Sequence, residues 1–166
     1  MDTIQLNHQN INSIASRIEC PNYDRNTIKA GIVHIGVGGF HRSHQAYYIH
    51  QLLGNTQNSD WGICGIGLRE GDKNIANVLK EQDGLYTLIT QHPDGNEACE
   101  VIGSIIDFIF AYETPNLALD KMAHPDTKIV SLTITEGGYN FNPINGEFDF
   151  NNPEIQQELK LSLIHI

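Results

Sequence analysis

A chain of 166 residues with 40% hydrophobic side chains can bury one full core and is too short for two domains of ordinary size. Its 20 acidic residues against 10 basic ones give a net charge of -10, spread along the chain, which argues against a phosphate-backbone binder and so against a nucleic-acid partner. No apolar run reaches the roughly 18 residues of a bilayer span, and the opening MDTIQLNHQN lacks a charged-then-apolar export profile, so we expect a cytoplasmic protein with no membrane partner.

Taken in chain order, the first segment is polar, with a weak apolar repeat over Ile11 to Ile18, and reads as a leader (residues 1–28) that packs on the domain behind it. At Lys29 the character changes. Gly31 to Ile35 is a short apolar run that stops at Gly36, Gly38 and Gly39 and continues into helical spacing. Ala46, Ile49 and Leu53 share one face of that helix, which should begin near Phe40 and close at Gly54. Trp61 to Leu68 is too uniformly apolar for a half-exposed strand and fits a parallel strand covered on both faces, completing a βαβ unit.

The segment GDKNIANVLKEQDG places Ile75, Val78 and Leu79 on one face of a second helix ending at Gly84. Leu85 to Gln91 reads as a strand, and HPDGN, His92 to Asn96, as the tip of a hairpin whose return begins at Cys99 and runs apolar to Phe110. Thr114 before Pro115 predicts a capped helix with a buried stripe of Leu119, Met122 and Ala123. Lys128 to Ile134 is expected as the next central strand, ending at TEGGY. Residues 140–152 are loop-like, and Asn152 with Pro153 announces a helix through Ile155 and Leu159. The apolar tail LSLIHI, residues 161–166, predicts a truncated reading frame or a non-native end.

Cys20, Cys64 and Cys99 are odd in number and form no CxxC pair, so they exclude a disulfide framework and a zinc knuckle and read as buried thiols. The glycines carry more information. Gly36, Gly38 and Gly39 stand between a strand and a helix, where a βαβ dinucleotide fold brings bare backbone against a pyrophosphate. The helix start would aim N–H groups at the phosphates, and Arg42 would add a charge-assisted hydrogen bond. The copy departs from GxGxxG because His41 takes the third glycine position. A plain structural turn is the alternative.

The second strand is followed by Arg69, Glu70, Gly71 and Asp72. A carboxylate there can accept both hydroxyls of an adenosine ribose and repel a 2'-phosphate, which favours NAD over NADP. Arg69 pulls toward NADP, and Asp72 could instead cap the helix after it. His34, His41, His44 and His50 invite a metal reading, but no further ligand joins them at metal spacing, and they read as phosphate-side and packing residues; no metal is expected. Glu136, in TITEGGY, lies at the carboxyl edge of a strand, where ligands of open α/β sheets bind, and could equally be a solvent residue. No proton donor is recognisable: a cofactor site is present without its chemistry.

Three blocks occur in order: GIVHIGVGGFHRSHQAYY (31–48), WGICGIGLREGD (61–72) and SLTITEGGY (131–139). Together they resemble the amino-terminal domain of the mannitol dehydrogenase family of polyol-specific long-chain dehydrogenases, over about Lys29 to Glu158. The resemblance implies an α/β fold with a Rossmann-type NAD-binding domain (residues 29–160), a mostly parallel sheet and an inserted β-hairpin. It also implies a helical carboxyl-terminal substrate domain, absent from this chain, that supplies a catalytic lysine with asparagine and histidine partners and uses no metal. Gly36, Val37, Gly38, Gly39, Phe40, His41 and Arg42 would then hold the pyrophosphate of NAD, Asp72 would face the ribose, and Glu136 would sit near the active-site cleft. The implied reaction is hydride transfer between C2 of D-mannitol and NAD, giving D-fructose, with a polyol or keto-sugar as the small-molecule partner. Catalytic residues are expected beyond Ile166, so the chain alone should bind without turnover. Sugar-acid reductases of the fructuronate and tagaturonate type, a non-catalytic nucleotide-binding module and a methyltransferase are the competing readings.

Overall fold

The computed structural model describes residues 4–55, 59–134, 140–142 and 144–160. Its elements, in order, are α1 (Ile11–Ile14), β1 (Ala30–Ile35), α2 (Gly39–Ser43), α3 (Gln45–Asn55), β2 (Gly62–Gly67), α4 (Lys73–Glu81), β3 (Tyr86–Gln91), β4 (Glu97–Ile102), β5 (Ile105–Phe110), α5 (Pro115–Met122), β6 (Ile129–Leu132) and α6 (Pro153–Lys160). The chain divides into a large unit, residues 1–132, and a small one, residues 133–166.

In the large unit four parallel strands run in the order β5-β2-β1-β6. Strand β2 is buried along its whole length, because helices and sheet neighbours cover both of its faces. Two clusters of buried side chains form the core. One gathers Ile32, Val37, Ala46, Ile63, Leu79, Tyr86, Ile102 and Ile105; the other gathers Val33, Cys64, Ile66 and Ala118. Complete burial of an isoleucine such as Ile63 is worth about 2 kcal/mol, so these apolar runs commit the chain to a sheet with helices packed on it. β3 and β4 form the expected inserted hairpin as a separate two-stranded antiparallel sheet, with Gly95 at a φ of 86° in its tip.

The leader is held by polar contacts. Arg25 donates to the carbonyls of Gly103, Asp83 and Ile105 at 2.9, 2.6 and 2.9 Å. Tyr23 Oη donates to His50 Nδ1 at 2.7 Å, and the Gly103 N–H donates to the same nitrogen at 3.3 Å. His50 Nδ1 is therefore an acceptor, and its Nε2 carries the proton toward Glu100, 4.0 Å away. In the small unit Phe141 and Phe148 form an isolated bridge, and α6 buries Ile155. The predicted cap of α6 is present: Asn152 Oδ1 accepts from the Glu154 N–H at 2.9 Å.

Several expectations need correcting. The helix after the glycine turn is two helices, broken at His44, whose backbone (φ -123°, ψ -88°) leaves the helical region. Local side chains cause the break: Ser43 Oγ bonds the carbonyls of Gly39 and Phe40, and His44 Nδ1 bonds the Phe40 carbonyl at 2.8 Å, competing with the helical ladder. Gly54 is not a cap but lies within α3, where a Cβ would meet Asn22 Oδ1 at 2.7 Å. Thr114 Oγ1 donates to the Phe110 carbonyl rather than capping α5. The buried face of α5 is Ala118 with Met122, not Leu119, which is 59% exposed, nor Ala123; the small alanine lets the helix approach the sheet, and Leu119 is rotated about 100° away. β6 is an edge strand among the described residues rather than a central one, and Ile129, Val130 and Leu132 are exposed. Cys64 is a buried thiol, pushed up to about 12 by desolvation first and Asp107 second, but Cys99 is exposed. The tail 161–166 lies outside the described residues.

Gly84 closes α4 at a φ of 75°, and a Cβ there would stand 2.2 Å from the Ile105 carbonyl oxygen. Gly84→Ala should therefore cost about 2 kcal/mol or more, from backbone strain and displacement of β5 together. Urea unfolding followed by circular dichroism checks this; a loss under about 0.5 kcal/mol would contradict it.

Candidate functional site

The connectivity creates a crevice. From β1 the chain steps to β2 and β5 on one side and then returns to β6 on the other, so the carboxyl ends of β1 and β6 flank the point where strand order reverses. The glycine turn follows β1 directly into that point. Gly36 has a φ of 84°, in the left-handed region, and its N–H donates to the Ile66 carbonyl at 2.9 Å, which pins the turn against the tip of β2. The turn and the second strand's end, proposed as partners from sequence, are neighbours in space.

Beyond Gly36 the chain is stripped of side chains on its outer side. Gly36, Gly38 and Gly39 are exposed, and an ideal Cβ on any of them would have no heavy atom within 4 Å. Val37 points the other way, 6% exposed and part of the core. The turn thus buries one side chain as an anchor and offers bare main chain outward. This is a cradle that side chains would fill, and its open backbone suits an approaching diphosphate. Arg42 stands at the far end of the same segment. Its N–H and Nε both donate to the Gly38 carbonyl, at 3.1 and 3.4 Å, so its own main chain closes the turn. Because α2 is a single turn, little of a long helix's dipole is available, and attraction for an anion rests on local N–H groups and the Arg42 charge.

Phe40 and His41 diverge. Phe40 is 64% exposed and stacks on His44 with ring centroids 4.2 Å apart. His41 is 1% exposed and stacks on His34 of β1 at 3.7 Å and 12° between ring planes. The position at which a third glycine lets helix and strand approach is filled here by a flat ring lying on another flat ring. His34 Nδ1 is 2.9 Å from Ser131 Oγ of β6, so the stack also ties the two strands that flank the crevice. Among the described residues neither His41 ring nitrogen makes a well-formed hydrogen bond, though the Gln45 side chain stands close enough to favour its protonated form slightly. Desolvation, with His34 and Arg42 nearby, pushes its pKa down to about 3. The His41 side chain is a packing group, and only its main chain faces the turn.

Asp72 lies where β2 gives way to α4. Its Oδ2 accepts from the Arg69 N–H at 3.0 Å, closing the short turn Glu70–Asp72. The expected cap of the following helix is not formed, since Asp72 makes no side-chain bond to α4; the carboxylate instead closes its own turn through one oxygen, at the tip of the strand beside the glycine turn. Glu70 and Arg69 are exposed on the same turn. Glu136 lies outside the described residues. Among the described residues no three histidine, cysteine, aspartate or glutamate side chains are grouped to hold a metal, and no helix is long and apolar enough to cross a membrane.

Sequence reasoning missed Tyr86 of β3. Its Oη donates to the Arg42 carbonyl at 2.5 Å, and the Arg42 guanidinium lies 5.8 Å from its ring centroid. It also missed the pairing of His34 with His41. The second had a signal, a lone polar residue inside an apolar strand and a ring in a glycine position; the first had none, since 44 positions separate the partners.

A family model described as the mannitol dehydrogenase Rossmann domain matches residues 30–164. The mannitol 2-dehydrogenase of Pyricularia oryzae is 48% identical over 142 residues, covering 86% of this chain and 28% of that protein. The mannitol 2-dehydrogenase of Pyrenophora tritici-repentis is 44% identical over 157 residues, covering 95% and 27%. Among solved structures, the Pseudomonas fluorescens mannitol 2-dehydrogenase ternary complex with NAD and D-mannitol superposes with a TM-score of 0.82 at 44% identity, covering 95% of this chain and 32% of that one. A D-sorbitol dehydrogenase in substrate-free form gives 0.80 at 38%, with the same coverage. The chain spans about a third of the length of the relatives it matches.

His41 and His50, the latter pushed down to about 4 by desolvation first and Arg25 second, stay neutral in the fold at a pH where an unfolded histidine is protonated. Below an unfolded pKa of about 6.5 the unfolded chain binds the extra protons, so stability is full above that pH and falls steadily down to pH 4 and below. His41→Phe, which keeps a flat ring without a titrating group, should flatten this slope by about 1 kcal/mol per pH unit between pH 6 and 4. Urea midpoints across that range measure it; a slope identical to the unsubstituted chain would contradict the assignment.

Proposed function

We propose that this chain, which belongs to the mannitol dehydrogenase family, is the cofactor-binding part of an NAD-dependent polyol oxidoreductase. One observation carries the proposal: the turn after β1 presents open main chain at the reversal point of the sheet, backed by a buried valine and followed by Arg42. Gly36, Val37, Gly38, Gly39, Phe40, His41 and Arg42 would line the diphosphate, with Val37 and His41 contributing main chain only. Bound there, NAD would accept or return the hydride at C2 of a polyol such as D-mannitol, interconverting it with a keto-sugar.

The chain's own residues bind and orient. Main-chain N–H groups and the Arg42 guanidinium neutralise the diphosphate. The Asp72 carboxylate, tied down by the Arg69 N–H, has its other oxygen to accept a ribose hydroxyl and carries a charge that repels a 2'-phosphate. Arg69 is exposed beside it and works against that preference. Glu136, in the block that resembles the family, is proposed as the carboxylate on the side of the reacting ring. The proton acceptor of the alcohol is expected in the part of the longer relatives that this chain does not span. The full polyol-oxidising activity is thus a property we propose for a longer protein, and for this chain we propose binding without turnover. The three unpaired cysteines fit a reducing cytoplasm.

Titration of the chain with NADH, followed by enhancement of nicotinamide fluorescence, tests the proposal: saturable binding supports it, and no saturation up to millimolar ligand would refute it. Asp72→Asn keeps an acceptor for the Arg69 N–H while removing the charge. It should reduce the preference for NADH over NADPH by about tenfold, the cost of losing a charged hydrogen bond and a repulsion together. An unchanged ratio would remove Asp72 from the ribose site.

A further inference from the structure

An arginine side chain on a one-turn helix has many rotamers, and holding one of them costs entropy that a binding site must recover. Nothing in the segment Gly36 to Arg42 supplies the restraint on the guanidinium beyond the long Nε contact to Gly38. The restraint comes from the inserted hairpin. Tyr86, the first residue of β3, is 8% exposed and belongs to the main core cluster, where it pairs in register with Ile102 of β4. Its position is therefore set by the core and not by the turn. From there it makes two contacts with one residue: its hydroxyl donates to the Arg42 carbonyl at 2.5 Å, and its ring face lies 5.8 Å from the guanidinium carbon. Burial keeps the phenol protonated, so it remains a donor at any physiological pH.

We infer that Tyr86 is a positioning residue for the cofactor: its hydroxyl fixes the main chain at the end of the turn and its ring carries the Arg42 guanidinium toward the diphosphate. This rests on the reading of the turn as a diphosphate cradle. It gives the hairpin a role. The two-stranded sheet interrupts the parallel pattern, and its first residue supports the phosphate-binding arm from the side that the βα unit leaves open.

The test measures affinities of the 166-residue chain for NADH, ADP-ribose and adenosine, in variants Tyr86→Phe, Tyr86→Leu and Arg42→Ala and in both double substitutions. Loss of the hydroxyl alone should weaken NADH and ADP-ribose by about threefold, and loss of the ring as well by about tenfold. Adenosine, which has no phosphate, should bind each variant within about twofold of the unsubstituted chain, since a contact that acts through Arg42 has nothing to act on. The difference between Tyr86→Leu and Tyr86→Phe should vanish once Arg42 is alanine. Equal losses for adenosine and ADP-ribose, a difference that persists without Arg42, or unaltered ADP-ribose affinity in Tyr86→Phe would each overturn the inference. Tyr86→Phe keeps the packing, so the comparison of ADP-ribose with adenosine decides the matter even if the leucine variant does not fold. Failure of the unsubstituted chain to bind NADH would instead overturn the proposed function.

Discussion

A strand at the centre of a parallel sheet is hydrogen-bonded on both sides, and its chain must leave the sheet within one or two residues without obstructing what lies beyond. In this protein β1 meets that constraint by ending in a residue at positive φ whose N–H is spent on the neighbouring strand. Val37 then turns back into the core while the next two positions have no side chain to place. Everything proposed for the site follows from this short stretch, because it makes a ledge of main chain, pinned through the Gly36 N–H, where the sheet changes direction. Rigidity matters as much as openness: a ledge free to move would surrender on binding what its N–H groups supply.

Two supports hold the ledge from beneath and from the side. Beneath it, the stacked rings of His34 and His41 replace the close helix-to-strand contact that a third glycine would allow, and the bond from His34 to Ser131 joins the strands on either side of the crevice. The arrangement costs something. Two imidazoles are kept neutral by burial, and among the described residues one of them has no well-formed hydrogen bond at either ring nitrogen, a state that packing has to sustain. From the side, the hairpin reaches the end of the turn through Tyr86. The leader joins the same domain: Arg25 spans the carbonyls on either side of the entry to β5, and Tyr23 bonds His50, so residues that look like a polar preamble tie α3 to the start of β5.

The turn and the strands on either side of it could be read from residue patterns, whereas the order of strands in the sheet could not. Short β-branched apolar runs mark buried strands, and glycines between such a run and a helical stripe have few other uses, so β1, β2 and the turn were legible, as was the hairpin from Asp94-Gly95; β5, merged in the pattern with the hairpin's return, was not. The break at His44 was not, because it depends on which carbonyl two short polar side chains capture, a choice between conformations of nearly equal energy. Nor was the buried face of α5: Leu119 is the better hydrophobe, yet the sheet accepts Ala118, since closeness of approach outweighs side-chain area there.

By itself the sequence determined the βαβ unit, the bare turn, the acidic residue after the second strand and the likeness to a family of polyol dehydrogenases. These are encoded by neighbours in the chain, where periodicity and backbone freedom act locally. Only the tertiary structure decided that His41 faces inward, that Asp72 bonds to the Arg69 N–H, and that a tyrosine 44 residues away holds Arg42. Each of those depends on which distant surfaces meet, and a linear pattern carries no record of the shape that a packed core leaves for a side chain to fill.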